Sequence, residues 1–465
     1  MLIERGVIVR LLLLGWTAFP VAGIAAQTQP PNILFIYLDD FGWRDVQYMG
    51  SDFYETPHLD GWAAEGMVFR QAYSCAANCA PARASLLSGQ YTPRHRIFNV
   101  GTRPRGRAED RKLQHIPGVD TLNPGIRTWA QCLQAVGYRT AIIGKWHLSE
   151  DPRPYGFDLN IGGSHSGSPP RGYYPPHPNV VGLVTADENE YLTDRLSAEA
   201  IGFIKENAAR PWCLYLSHFA VHTPLDAKRE LVSKYQQKSP GSLHRNVTMA
   251  TMIQAVDEGV GKIRQTLRDL GIEDQTAVIF FSDNGGLGRA TDMAPLRGYK
   301  GTFYEGGIRV PLFFVWPGRI DSGSRCEEPV IGVDFFPTIC DIAAAERPRN
   351  QRLDGISLVP RLTGHRARLP DRALFWHFPA YLQATAPSPE SRDPIFRTRP
   401  CGVIRRGRWK LIRYFEDQAI ELFDLENDIG ESTSLHAVHP DLATRLDDDL
   451  SNWQRAIGAP IPQPK

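Results

Sequence analysis

Five short apolar runs, separated by longer amphipathic segments, constrain the fold of this chain more than any other feature. Each run has the length and the β-branched or aromatic content of a buried strand. The runs are Ile33–Leu38, Thr140–Ile143, Cys213–Leu216, Ala277–Phe281 and Pro311–Trp316. The helical patterns between them are Pro124–Ala135, with Asn123 as its expected N-cap, Asp194–Glu206 and Met249–Leu270. This alternation predicts an α/β fold, a large mostly parallel sheet sandwiched by helices.

The pattern changes after Pro370, where shorter segments follow each other across turns. The predicted elements are strands Gly402–Arg405, Trp409–Tyr414 and Ile420–Phe423 and a helix at Pro440–Ala456. They predict a smaller C-terminal antiparallel sheet plus one helix in residues 370–465, after a larger domain in residues 27–369. The proline-rich stretch Pro379–Pro400 is expected to be a loop that reaches toward the mouth of the functional site.

The first 26 residues are typical of a signal peptide. Arg5 and Arg10 precede an apolar stretch, Leu11–Phe19, and small residues lead up to an expected cleavage point near Ala26. The apolar stretch is short for a membrane anchor, which is the alternative interpretation. The sequence therefore predicts export to the periplasm or the extracellular space, with no other segment that spans a membrane.

Charge and cysteine content narrow the possible partners. The chain carries 52 basic and 51 acidic residues, a net charge of +1, so neither nucleic acid nor an anionic membrane is expected as a partner. Any anion must be recognised by a local cluster. The seven cysteines are an odd number in a chain predicted to be exported, which suggests that one thiol has a separate task.

Polar side chains follow four of the predicted strands, where each strand ends. These residues are Asp39 and Asp40, Lys145 and His147, His222, and Asp283 and Asn284. Because ligands bind at the carboxyl ends of the strands in open α/β sheets, we expect these groups to share one edge.

Three carboxylates and one amide among these residues form a candidate metal site. Asp39, Asp40, Asp283 and Asn284 offer hard oxygen ligands, which suit calcium or magnesium better than zinc. Either pair alone is equally typical of a turn after a strand. Both pairs together, each after a buried strand, favour a single cation site.

The segment Cys79–Gly89, CAPARASLLSG, places a cysteine at the start of a predicted helix. Pro81 lies just inside the helix start, and Arg83 lies one turn after Cys79 on the same face. A helix N-terminus favours an anion beside it. A structural cysteine and a plain thiolate nucleophile are the alternatives at this point.

Segment 79–89 also resembles the sulfatase signature Cys-x-Pro-x-Arg followed by Leu-(Thr/Ser)-Gly. Gly137–His147 resembles the second signature of that family, and the likeness extends from about Asn32 to the C-terminus. Further similar stretches are Asp39–Asp45, Ala220–Pro224, Leu296–Pro311, Val333–Thr338 and Glu421–Asp428. The chain thus resembles the arylsulfatase branch of the alkaline phosphatase superfamily, with residues 27–369 as its catalytic domain. Ala82 departs from the Ser or Thr of many members, while the cysteine, proline and arginine are intact.

This resemblance implies a modified residue and a metal ion. A formylglycine-generating enzyme would oxidise Cys79 to formylglycine before folding. One Ca²⁺ per chain would be bound by the residue at position 79 and by the oxygen ligands Asp39, Asp40, Asp283 and Asn284.

The resemblance also implies roles for the cationic and imidazole side chains. Arg83 and Lys145 would hold the two hydroxyls of the hydrated aldehyde. One hydroxyl would attack sulfur, and Asp283 would help to remove its proton. His222, as proton donor, and Lys300 would assist the leaving oxygen. Both of them, together with Lys145, would contact the substrate. His147 would take the proton of the second hydroxyl so that sulfate is expelled.

The implied activity is hydrolysis of the sulfate ester of a small sulfated sugar or an aryl sulfate. Ser164 and His165, in a Gly- and Ser-rich loop, are further candidates for contact with the sulfate or the sugar. A phosphodiester or phosphonate monoester hydrolase of the same superfamily is one alternative function. A non-catalytic relative that binds sulfated glycans is another.

Overall fold

The computed structural model describes residues 30–169, 171–177, 180–183, 187–364, 367–383 and 392–465. The predicted signal peptide therefore lies outside the described residues. The main feature of the described part of the chain is a nine-stranded sheet. The strands are β1 Asn32–Leu38, β2 Met67–Tyr73, β3 Arg139–Gly144, β4 Leu159–Ile161, β5 Trp212–Ser217, β6 Thr276–Ser282, β7 Arg309–Val315, β8 Ser324–Cys326 and β9 Val330–Ile331.

The strand order is β4-β3-β5-β1-β6-β7-β2-β8, and β9 pairs with β2. Strands β4, β3, β5, β1 and β6 are parallel to one another, whereas β7 is antiparallel to both of its neighbours. All five predicted strands are present within a residue or two of their expected bounds. The predicted α/β class, with a mostly parallel sheet, is confirmed.

Helices cover both faces of this sheet, which explains why its central strands read as continuous apolar runs. The α-helices are α1 Pro57–Ala64, α2 Cys79–Ser88, α3 Thr92–His95, α4 Trp129–Ala135, α5 Leu192–Asn207, α6 Val232–Gln237, α7 Val247–Asp269, α8 Glu305–Ile308, α9 Phe335–Ile342, α10 Val359–Thr363 and α11 Pro440–Ala456. Short 3₁₀ turns lie at Gln47–Met49, Arg153–Tyr155, Arg229–Leu231, Glu273–Gln275 and Gly332–Asp334.

Strand β1 shows how the two cores are divided. Leu34, Ile36 and Leu38 point into the core that also contains side chains of α5 and α7. Ile33 and Phe35 point the other way, into the core formed with α2, α4 and α9. Successive side chains of a strand alternate between the faces, so a strand in mid-sheet has to be apolar at every position.

The expected start of helix α4 is wrong. The helix begins at Trp129 rather than at Pro124, because Thr128 and Gln131 form a capping box in which each side chain bonds the backbone N–H of the other. Asn123 does not cap this helix. Its side chain instead accepts a hydrogen bond from the Gly125 N–H in a local turn (2.8 Å).

The C-terminal region forms a four-stranded antiparallel sheet, in the order β10-β13-β14-β15, with α11 packed on it. Its strands are β10 Ala373–Phe378, β13 Cys401–Arg406, β14 Trp409–Tyr414 and β15 Ile420–Asp424, and a separate ribbon consists of β11 Leu382–Gln383 and β12 Phe396–Thr398. Strand β10 was not predicted, while the other three strands and the helix were. Among the described helices, none combines the length and apolar character needed to cross a bilayer.

Candidate active site

The predicted metal ligands meet at the carboxyl edge of the central sheet. Asp39 and Asp40 follow β1, and Asp283 and Asn284 follow β6, the strand that pairs with β1 in register. The backbone N–H of Asp40 donates to Asp283 Oδ1 at 3.2 Å. All four side chains are at most 1% exposed. The topology thus brings together two pairs that are separated by more than 240 residues in the chain.

Several oxygens of this group have no hydrogen-bond partner among the described residues. They are Asp39 Oδ1, Asp40 Oδ2 and Asn284 Oδ1, all buried. An unpaired buried carboxylate oxygen is costly, so such atoms normally face a donor or a cation. Because all three atoms are hard oxygen donors, the residues present fit a calcium ion.

Two lysines neutralise the aspartates that follow β1. Lys145 Nζ lies 2.5 Å from Asp39 Oδ2, and Lys300 Nζ lies 2.6 Å from Asp40 Oδ1. Burial opposes ionisation of Asp40, but Lys300 and His222 outweigh it and hold the pKa of that carboxyl below its usual value. The charge on Asp40 is therefore maintained in the buried site.

Arg83 binds the third carboxylate. Its Nε and Nη2 both donate to Asp283 Oδ2, at 2.9 and 2.8 Å, and its Nη1 donates to Ser217 Oγ at 2.6 Å. Ser217, at the end of β5, was not identified from the sequence. Burial and the nearby Asp39 raise the pKa of Asp283 to about 6, although Arg83 opposes them. A second cation beside Asp283 would favour its ionised form.

Cys79 is the first residue of α2, as predicted, and Asn78 precedes it in extended conformation. The cysteine is 2% exposed. Its Sγ and one carboxylate oxygen each of Asp39 and Asp283 lie within 4.8 Å of one another. Burial raises the pKa of the Cys79 thiol, so the surrounding protein groups do not generate a reactive thiolate. This disfavours the interpretation as a plain thiolate nucleophile.

His147 lies beside this group in a strained conformation. Its φ of 66° is left-handed, and its N–H donates to Ser164 O at 2.9 Å. Gly144 makes the preceding turn possible, because a Cβ there would lie 1.9 Å from Ser217 O. Burial, and next to it the charge of Lys145, lowers the pKa of His147, which keeps the imidazole neutral and able to accept a proton.

His222 approaches the aspartates from the loop after β5. That loop is held by two backbone hydrogen bonds between Asp39 and the segment Ala220–Val221. His222 Nδ1 lies 2.7 Å from Thr223 O, and Nε2 lies 3.9 Å from Asp40 Oδ2. Burial lowers the pKa of His222 to about 4. Its Nε2 is also close enough to Asp39 and Asp40 to share a cation with them.

Cys79, His147, His222 and Lys300 open onto one cavity of about 350 Å³. The volume is in the range of small-molecule sites. Its wall also contains residues that were not identified from the sequence. They are Asn78, Asn99, Val100, Arg105, Gly167, Ser168, Leu382 and Arg397. Leu382 and Arg397 belong to the stretch 379–400 that was expected to reach the site. Part of that stretch lies outside the described residues.

Ser164 and His165 lie near this cavity, but neither is among the described residues of its wall. Ser164 Oγ accepts a hydrogen bond from the Ser166 N–H (3.2 Å), and His165 Nε2 lies 3.1 Å from Asp120 O. The ring centres of His165 and His147 are 6.4 Å apart. Contact of Ser164 and His165 with a substrate stays a prediction.

The chain is similar in sequence and fold to known sulfatases. The Sulfatase family model matches residues 31–345, and the model of the C-terminal region of N-sulphoglucosamine sulphohydrolase matches residues 299–455. A sulfatase of Formosa agariphila is 31% identical, over 93% of this chain and 90% of its own length. Human N-acetylgalactosamine-6-sulfatase is 31% identical, over 76% of this chain and 70% of its own. The crystal structure of Ps i-CgsB is 29% identical, with a TM-score of 0.75, and covers 91% of this chain and 93% of its own.

Proposed function

Because this chain belongs to the sulfatase family of the alkaline phosphatase superfamily and is a sulfuric ester hydrolase, we propose that its substrate is a sulfated carbohydrate. We further propose that it acts through a formylglycine at position 79 and a bound calcium ion. The carbohydrate assignment is supported by two similar proteins, N-acetylgalactosamine-6-sulfatase and Ps i-CgsB, whose structure has been solved in complex with k-i-k-neocarrahexaose.

The observation that carries the mechanistic proposal is the convergence of unpaired oxygens on position 79. Asp39 and Asp283 offer carboxylate oxygens within 4.8 Å of Cys79 Sγ, and the unpaired oxygens of Asp40 and Asn284 belong to the same buried group. These residues would hold a cation beside Cys79, which lines the cavity. A buried carboxylate oxygen without a donor, such as Asp39 Oδ1, is costly unless a cation compensates for it.

The modified residue and the ion each supply one kind of chemistry. Formylglycine, once hydrated, offers two hydroxyl oxygens at position 79, so that release of sulfate does not depend on an outside water molecule. Calcium, held by Asp39, Asp40, Asp283 and Asn284, offers Lewis-acid stabilisation of negative oxygens. Because Cys79 is 2% exposed in the folded chain, the formylglycine-generating enzyme would have to act before folding.

The chain's own residues then hold and move charge around the sulfate. Lys145 and Lys300 place positive charge beside position 79, and Arg83, one turn along α2, holds Asp283. Asp40, although burial opposes it, holds the pKa of Lys300 above its usual range, so Lys300 stays charged where negative charge develops on the leaving oxygen. His222, beside Lys300, is the proposed proton donor to that oxygen, a role that requires the negative charge of the bound sulfate and leaving oxygen to raise its pKa from about 4. Neutral His147 is the proposed acceptor on the other side.

Two measurements on one preparation test this proposal. Peptide mass spectrometry is expected to find formylglycine at position 79 when the chain is co-produced with a formylglycine-generating enzyme, and cysteine when it is not. Only the modified preparation should release sulfate from 4-nitrophenyl sulfate. A Cys79→Ala chain made in the same way is the matched control.

The same preparation should hydrolyse bis-4-nitrophenyl phosphate far more slowly than the aryl sulfate. A preference for the phosphodiester would favour the superfamily's phosphodiester and phosphonate hydrolases as the functional class. Equal activity of the cysteine and formylglycine forms would reject the proposed nucleophile. Binding of sulfated sugar by both forms, without turnover of either, would instead indicate a glycan-binding relative.

A further inference from the structure

Two arginines stand in the outer wall of the active-site cavity, on segments that do not belong to the central sheet. Arg105 lies in the long loop after α3, and Arg397 lies in β12 of the small ribbon. Both are partly buried. They line the same cavity as Cys79, His222 and Lys300.

The inner cations of the cavity are already balanced. Lys145 lies against Asp39, Lys300 against Asp40 and Arg83 against Asp283. Arg105 differs, because its Nη2 donates to a neutral acceptor, Val100 O at 2.8 Å, and within the described ranges no carboxylate lies within 4 Å of its guanidinium.

Arg397 is held by neutral groups as well as by more distant charges. Its Nη1 donates to Lys300 O at 3.1 Å, and its stem packs against Gly301, where a Cβ would lie 2.5 Å from Arg397 Cδ. Burial lowers the pKa of Arg397, an unusual direction for an arginine in a protein. Tyr299 and Asp40 oppose this shift, and an anionic ligand in the cavity would oppose it further.

The loop that carries Arg105 is locally basic although the whole chain has a net charge of only +1. Residues 101–115 contain five basic and two acidic side chains, which are Arg103, Arg105, Arg107, Arg111 and Lys112 against Glu109 and Asp110. The loop is fixed in place, because the Gln114 N–H donates to Gln463 O and the Leu113 N–H donates to the Tyr381 hydroxyl. Its positive charge is thus held at the rim of the cavity.

We propose that Arg105 and Arg397 form a second anion subsite, and that the preferred substrate carries another sulfate or a carboxylate near the sulfate ester that is cleaved. This inference rests on the proposed function and narrows its substrate class to glycans with at least two anionic groups. The planar guanidinium presents paired N–H donors that match the oxygens of either anion. A monosulfated neutral sugar would leave both arginines without such a ligand.

Calorimetric binding to the Cys79→Ala chain in calcium tests the subsite without turnover. The probes are N-acetylgalactosamine 6-sulfate, N-acetylgalactosamine 4,6-disulfate, and the disaccharide of glucuronic acid with N-acetylgalactosamine 6-sulfate. At least one of the two doubly anionic probes should bind about tenfold or more tightly than the monosulfate. Which of them does so distinguishes a sulfate from a carboxylate. Equal affinity of all three probes overturns the inference.

Variants at the rim separate the subsite from general electrostatic attraction. Arg105→Ala and Arg397→Ala should each abolish the tenfold preference while leaving affinity for the monosulfate within about twofold, and Arg105→Lys should restore only part of it. Arg107→Ala is the matched control in the same loop, since Arg107 is 72% exposed and pairs with Asp110. If Arg107→Ala lowers the preference as much as Arg105→Ala, the loop acts only through its net charge and the subsite is rejected.

A failure of the subsite can be distinguished from a failure of the proposed function, because binding is measured on the Cys79→Ala chain, which cannot be modified at position 79. Should 4-nitrophenyl sulfate turnover by the parent fail while the preference among the three probes is found, the subsite stands and the catalytic proposal fails. Turnover without the preference gives the reverse result.

Discussion

Two buried ionic clusters in this protein have nearly the same composition and opposite properties. The catalytic cluster consists of Asp39, Asp40, Asp283, Asn284, Arg83, Lys145 and Lys300. The junction cluster consists of Glu305, Arg309, Lys410, Glu431 and Tyr73, and it joins the C-terminal sheet to the central one. Both place a lysine and an arginine against buried carboxylates. Burial and ion pairing alone therefore do not identify an active site.

The carboxylate oxygens differ between the clusters. In the junction cluster, Lys410 Nζ lies 3.0 Å from Glu305 Oε1 and 2.8 Å from Glu431 Oε1. Glu305 Oε2 accepts from the Tyr73 hydroxyl at 2.6 Å and from Arg309 Nη1 at 3.2 Å. Glu431 Oε1, like Asp39 Oδ1 and Asp40 Oδ2, accepts no hydrogen bond, but it lies against Lys410 Nζ, whereas Asp39 and Asp40 belong to the group beside Cys79 and His222, which line the cavity. Unpaired ligand oxygens beside an open space distinguish a site from a structural contact.

Neutralising one carboxylate in each cluster is expected to give the largest contrast. Asp283→Asn removes the charge that Arg83 faces and a proposed calcium ligand, so kcat/KM for 4-nitrophenyl sulfate should fall at least about 10³-fold. Glu305→Gln is the matched change in the junction cluster, and it should lower kcat/KM less than about tenfold. Steady-state kinetics on folded, formylglycine-containing protein measures both. Comparable losses in the two variants would remove the distinction between the clusters.

Removing the junction lysine should act on stability instead of catalysis. Lys410→Met leaves Glu305 and Glu431 buried without their shared cation, which is expected to lower the free energy of unfolding by about 3 kcal/mol. Urea denaturation measures this loss, and kcat/KM of the folded fraction should change less than about threefold. Arg406→Met is the control, since Arg406 lies on the neighbouring strand with its side chain 49% exposed, and it should cost less than about 1 kcal/mol. An unchanged urea midpoint for Lys410→Met would contradict this assignment.

Calcium should stabilise the catalytic cluster and leave the junction cluster unaffected. At a calcium concentration about 100 times the Kd, the free energy of unfolding should rise by about 2.7 kcal/mol relative to protein treated with chelator. Differential scanning fluorimetry detects this as a higher Tm. Asn284→Leu should lose most of the rise, because it removes an oxygen ligand, whereas Lys410→Met should keep it. A calcium effect of equal size in Asn284→Leu would place the ion elsewhere.

Much of the catalytic cluster could be predicted from the sequence, because each part of it has a local pattern. Apolar runs identify the central strands, and polar residues directly after them identify the ligand edge of the sheet. Cys79, Pro81 and Arg83 identify a helix start through spacing alone. The start of α4 was mistaken because two capping signals compete within six residues, and the reciprocal bonds of Thr128 and Gln131 prevail.

The junction cluster and the cavity rim could not be predicted in the same way. Glu305 and Lys410 are 105 positions apart, and only the packing of β14 against α8 makes them partners. Arg105, in the loop after α3, and Arg397, in β12, likewise line one cavity without any local pattern that links them. Strand β10 was missed although it is as long as β13 and β14, because its pairing with β13 is non-local. Side chains placed by long-range packing leave no local signal in a single sequence.

The smallest expected effect is the contribution of the junction cluster to the pH dependence of stability. Burial raises the pKa of Glu431 from its ordinary value of 4.5 to about 7, even though Lys410 opposes the shift. Between pH 4.5 and 7 the folded chain thus holds this proton more tightly than the unfolded chain does, so the contribution of Glu431 to the free energy of unfolding should fall by about 2 kcal/mol as the pH rises through this window. Glu305 contributes to the pH dependence only below this pH window, because Lys410 and Arg309 overcome the effect of burial and lower its pKa to about 2.

Glu431→Gln should remove this contribution to the change in the free energy of unfolding between pH 4.5 and 7, because glutamine cannot ionise. The glutamine should keep the hydrogen bond that Glu431 Oε2 accepts from the Glu305 N–H. Urea denaturation at several pH values measures the effect, and Glu426→Gln, an exposed change in the same segment, should retain the slope of the parent. If Glu431→Gln and the parent decline in parallel, the proton belongs to another buried group. Asp257, whose pKa burial also raises to about 7, would then be the next group to replace.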